Sequence, residues 1–158
     1  MTDYNVGETV PKAGQGGVNR IDSAAKRKIN ELVSSLSKSK DAYKMEEIEN
    51  ELLGLAGKSQ TNAKMVIDSV SYFMRTNNKI KGAFTEEKSI LLETRLGRAV
   101  DILTVVCVRA GKGSLLSGLV IKIFKGIVKG DYPGTVRTDA RAMLSNWKIP
   151  GYEQAREY

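Results

Sequence analysis

Between Pro11 and Pro133 the chain contains no proline, and its third proline, Pro150, lies close to the other terminus. Proline locks φ, lacks an N–H donor and clashes with the preceding helical turn, so residues 12–132 are free of the strongest helix breaker. Aromatic residues make up only 6% of the chain, which otherwise is rich in Leu, Ile, Lys, Glu and Ala. Together these features point to an all-α fold. At 158 residues the chain is long enough to bury one sizeable core.

Apolar residues recur at helical spacing in successive segments. Ile29, Leu32, Val33 and Leu36 predict a helix over 23–37, with Asp22 or Ser23 as its cap. Met45, Ile48, Leu52 and Leu55 predict a second over 43–56, ended by Gly57 in a left-handed conformation. Val66, Ile67, Val70, Phe73 and Met74 mark a third, starting near Ser59 or Thr61. Thr85 caps a short helix over 86–92, and a further helix runs from Leu96 to about residue 109. In the latter, Val105 and Val108 widen the apolar stripe, which predicts burial on most sides. Residues 114–129 form a strongly apolar helix and 135–148 the last one. The expected architecture is a compact bundle of five to seven helices over 21–150, with a flexible polar arm at 1–20 and a frayed tail at 151–158.

The composition also narrows the chemistry. Histidine is absent, which removes the commonest general base and metal ligand. The single cysteine, Cys107, excludes an internal disulfide and a CxxC zinc site. It lies on an apolar helix face and reads as a small buried hydrophobe in a protein of a reducing compartment. No cofactor, metal or catalytic residue is expected, and an enzyme is the least expected class. The N-terminal residues carry no signal-peptide core, and no apolar run reaches membrane-spanning length. A net charge of +7 favours acidic partners.

Ala110-Gly-Lys-Gly-Ser114 superficially suggests a phosphate loop, but its spacing is wrong and a helix precedes it. Glu86, Glu87 and Glu93 read as helix-start charges. Lys26, Arg27 and Lys28, with Lys38 and Lys40, form one basic patch, and Lys122, Lys125 and Lys129 form another on the apolar helix. Either is a candidate surface for an anionic partner, nucleic acid or a membrane surface, though no aromatics interleave with the Lys26–Lys40 patch to offer a stacking platform.

Two segments carry a family likeness. Leu91, Thr94, Leu96, Gly97, Val100 and Leu103 follow a pattern like Leu-x-x-Thr-x-Ile-Gly-x-x-Val-x-x-Leu. Ala140, Leu144, Trp147 and Lys148 follow an Ala-x-x-Leu-x-x-Trp-Lys ending, one residue wider after the alanine. Phe84-Thr-Glu-Glu87 precedes the first. In these motifs the chain resembles the TFIIS N-terminal domain, also called the LW domain, over residues 60–148 and by helix count over 23–57. It differs in the additional helix at 114–129 and in Thr104-Val-Val-Cys-Val108, which stands where the family has a basic run.

The resemblance implies a non-enzymatic nuclear scaffold of transcription elongation or chromatin association. Such domains bind disordered, acidic, Phe-containing segments of transcription or chromatin proteins. The residues themselves add two local expectations. Trp147, in phase with Ala140, Met143 and Leu144, should be a core anchor. Gly97 should serve a close helix approach or a special dihedral. The alternative function is a basic helical protein of viral or structural type, cytoplasmic rather than nuclear, that binds nucleic acid or a membrane surface.

Overall fold

The computed structural model describes the backbone of residues 13–153 and the side chains from Ser23 onward. It is all-helical, with α1 (Ala13–Lys38), α2 (Ala42–Ala56), α3 (Gln60–Thr76), α4 (Glu86–Ala110), α5 (Leu115–Lys129) and α6 (Gly134–Asn146). Four starts are set by side chains that satisfy otherwise orphaned N–H groups. Asp41 accepts from the Tyr43 N–H at 3.0 Å, Ser59 from Asn62 at 3.0 Å, Thr85 from Lys88 at 3.1 Å and Ser114 from Ser117 at 3.1 Å. Between α4 and α5 the chain turns through Gly111 and Gly113, at φ 90° and 83°, a region only glycine enters freely.

The bundle has two halves that meet at α3 and α4. Helices α1, α2 and α3 pack against one another, as do α4, α5 and α6. α4 touches α2 and α3 as well, and α3 also reaches α5. The expected apolar faces form one core: Ile29 and Leu36 of α1, Ile48 and Leu52 of α2, Val66 and Val70 of α3, Leu96 and Leu103 of α4, Phe124 of α5 and Leu144 of α6. Each large aliphatic side chain buried this way contributes about 1.5–3 kcal/mol. Cys107 is buried as expected, its Sγ 4.0 Å from the Ser117 carbonyl oxygen where α4 meets α5. Burial pushes its thiol pKa up.

Several local expectations are corrected. The first helix does not start at Asp22 or Ser23 but at Ala13. Once the packed turns are nucleated, each further residue adds a hydrogen bond at little cost, so helix propagates through a segment that lacks an apolar stripe. Residues 13–20 therefore belong to α1, and the rest of the expected arm, 1–12, lies outside the described residues. Gly57 ends α2 in the right-handed region, at φ −73°. No break separates 86–92 from the following helix: α4 is continuous, because Thr94-Arg-Leu-Gly97 contains nothing that prevents helical geometry.

Gly97 serves neither purpose expected of it. It is helical, and a Cβ built there would meet nothing within 4 Å. Thr94 is exposed, and its hydroxyl donates to the Ile90 carbonyl at 2.7 Å. As expected, α4 is buried on most sides from Leu96 to Arg109, packed against α2, α3, α5 and α6. One narrow strip stays open, where Thr94, Asp101 and Val108 are exposed, Val108 to 63%, and Gly97 and Val105 between them are part-buried. On one side of it Arg98 pairs with Glu49 of α2 at 3.1 Å, and on the other Glu93 accepts from Thr135 of α6 at 2.6 Å.

Trp147 is half-buried rather than a core residue. It lies one position beyond α6 and stacks on Phe124, with ring centroids 5.6 Å apart. Lys148 follows at φ 59°. Its N–H donates to the Ser145 carbonyl at 2.9 Å, and the Ile149 N–H donates to that of Leu144 at 3.0 Å. This is the Schellman arrangement that ends many helices, here with lysine in place of the usual glycine. The tail is partly ordered: Tyr152 packs on the core under the Arg141 guanidinium, 5.6 Å from its ring centroid. Residues 154–158 lie outside the described part.

Candidate interaction groove

The two basic patches read from the sequence are not brought together. Lys26, Arg27 and Lys28 are exposed on α1, Lys122, Lys125 and Lys129 on α5, and α3 packs between these helices. Of the family-motif residues, Leu96, Val100, Leu103, Ala140 and Leu144 are core. Leu91 lines a groove.

That groove, of about 460 Å³, lies where α1 and α3 end and α4 begins. Phe73, Ile80, Leu91 and Leu92 supply its apolar lining, and Lys40, Lys79, Lys81, Lys88 and Arg95 its cations, against one carboxylate, Glu87. The first three turns of α4 place Lys88, Leu91, Leu92 and Arg95 on one helical face by their i, i+3, i+4, i+7 spacing. The remaining wall is the 77–85 loop, which side chains fasten in place. Asn77 Nδ2 donates to the Phe73 carbonyl at 3.0 Å, and Asn78 Nδ2 to that of Asp131 at 2.8 Å. Lys88 Nζ donates to the carbonyls of Lys81 and Ala83 at 3.3 and 3.0 Å. Gly82, between them, turns at φ 77°.

The cations differ in what they already hold. Lys79 pairs with Asp131 at 2.7 Å, which raises its pKa. Arg95 donates from Nε to the Ser39 carbonyl at 2.9 Å, and burial lowers its pKa. Among the described residues, Lys40, Lys81, Lys88 and Arg95 have no carboxylate within ion-pair distance. Phe84, 71% exposed, sits on the loop beside Thr85. An uncompensated basic rim over a small apolar floor suits an anionic ligand with one apolar anchor.

A larger cleft, about 650 Å³, opens at the opposite ends of α3 and α4. Its charges are internally satisfied: Lys64 pairs with Asp68 at 2.8 Å, and Arg109 donates to the Leu53 carbonyl at 2.9 Å. No group of His, Cys, Asp or Glu side chains among the described residues gathers to hold a metal ion. Nor is any described helix long and apolar enough to cross a membrane. The chain matches no family model, no curated protein and no solved structure.

Sequence reasoning missed this groove because its cations are dispersed from Lys40 to Arg95. The one local signal was the spacing of Lys88, Leu91, Leu92 and Arg95, which puts charge and apolar surface on one face of α4.

Proposed function

We propose that this chain is a non-enzymatic protein-interaction module whose basic groove binds acidic, Phe-containing segments of partner proteins. The observation that carries the reading is the groove itself: Lys40, Lys81, Lys88 and Arg95, without carboxylate partners among the described residues, around Phe73, Ile80, Leu91 and Leu92. The cations attract and orient an extended acidic segment, and the apolar floor takes its aromatic side chain. The resemblance of the Leu91–Leu103 and Ala140–Lys148 motifs to the LW domain supports the same reading and extends it to nuclear partners in transcription or chromatin.

The test is fluorescence anisotropy with a labelled peptide of Asp and Glu residues around one Phe. Binding with a Kd of about 1–100 μM is expected, a range usual for short segments that order on binding. It should be lost when the Phe becomes Ala and weakened at least about tenfold by Lys40→Glu with Lys81→Glu. A folded domain that ignores the peptide at low salt would remove the proposal. Tighter binding of a polyanion, such as single-stranded nucleic acid, with a steep salt slope would replace it by the nucleic-acid reading.

A further inference from the structure

The open strip of α4 and the outer face of α5 are unpartnered, apolar in part, and opposite in charge. The α4 strip is acidic. Asp101 lies within electrostatic reach of Glu49 of α2 and Asp139 of α6, and Glu49 within reach of Glu46. Among the described residues the cation beside these carboxylates is Arg98, which pairs with Glu49 at 3.1 Å and also lies within electrostatic reach of Asp101, so it offsets the acidity only in part. The outer face of α5 is basic: Lys122, Lys125 and Lys129 are exposed, and the helix holds no acidic residue. Among the described residues these lysines have no ion-pair partner. Each face also bears an apolar side chain that folding leaves in water, Val108 at 63% and Leu115 at 78% exposure.

The spacings correspond. Val108 and Asp101 are seven residues apart on α4, and Leu115 and Lys122 are seven apart on α5. At 1.5 Å per residue each pair spans about 10.5 Å along its helix axis. Laid antiparallel, α5 of one molecule on the α4 strip of another sets Leu115 over Val108 and Lys122 over Asp101 in one register. Gly118, exposed and with nothing within 4 Å of an added Cβ, then lies between the two contacts and leaves room for close approach. The contact cannot form within one molecule, because α5 already packs its opposite face on α4.

From this correspondence we infer that the occupant of the α4 strip is a second copy of the chain, docked through the outer face of its α5. The two halves of the contact are different surfaces, and every molecule offers one of each. It leaves the Lys40–Arg95 groove uncovered and does not depend on what that groove binds.

The experiment is sedimentation velocity of the full chain over a concentration series, at low and physiological salt, with Asp101→Lys, Lys122→Glu, the double variant and a mixture of the two single variants. Circular dichroism checks that each is folded, and Lys125→Glu provides a second reversal on α5. Wild type should associate with increasing concentration, less so at the higher salt. Either single reversal should weaken association at least about tenfold by setting like charges face to face. The double variant and the mixture should recover it, because the reversed charges again meet opposite ones. A wild type that stays monomeric at every concentration in low salt overturns the inference. So does association that the single reversals leave unchanged, or a double variant and mixture that fail to recover. Loss of association on nuclease treatment overturns it too, and assigns the α5 lysines to a polyanion.

Discussion

Three residues show how little a motif says about the environment of its members. Gly97 sits mid-helix with open space where a side chain would be. Gly97→Ala should therefore stabilise the fold by about 0.5–1 kcal/mol, the helix-propensity difference, read as a higher denaturant midpoint. Lys148 occupies a left-handed position that a β-carbon disfavours by roughly 1–2 kcal/mol. Lys148→Gly removes that strain but loosens the unfolded chain, so a net gain of about 0.5–1 kcal/mol is expected in the same assay. The Phe124–Trp147 stack divides its energy unequally, since Phe124 is fully buried and Trp147 only half. Phe124→Ala should cost about 3–5 kcal/mol. Trp147→Ala should cost less, an ordering that paired melts would reverse if Trp147 were the true anchor.

At the scale of elements, what could be read in advance was what is local. Helix starts at Ser59, Thr85 and Ser114 follow from one side chain and the N–H three residues on, and the apolar stripes follow from a period of 3.6. What could not be read was where neighbours are missing. Val105 and Val108 extend the stripe of α4, yet α2 and α6 flank that face without closing over it. Likewise no local signal distinguishes a helix that stops at Ser23 from one that runs back to Ala13. The α2–α4 contact carries a further consequence at Glu49. Burial, opposed by the Arg98 hydrogen bond, holds its carboxyl above the ordinary value of 4.5. The folded state then keeps a proton that the unfolded state has released, so stability falls as pH rises through the range just above 4.5. Glu49→Gln should flatten that part of the stability–pH curve relative to wild type, as measured by urea melts across the range.

At the scale of the molecule, the groove is a product of topology. The ends of α1 and α3 and the start of α4 converge on cations that the chain keeps far apart, so no window of sequence could display them together. Their concentration at one end, with a net charge of +7, makes the fold self-repelling there. Raising salt from about 10 to 150 mM should therefore raise the melting temperature, because the Debye length shrinks from about 30 to 8 Å. Lys81→Glu should reduce that increase, and a melting temperature indifferent to salt in both proteins would contradict the charge reading. Finally, the one thiol sits where α4 meets α5. A thiol reagent reaches it when α5 swings off α4, so labelling faster than global unfolding allows reports openings of that joint. Compared with the rate in the unfolded chain, it yields the free energy of a local detachment that thermal melts cannot isolate.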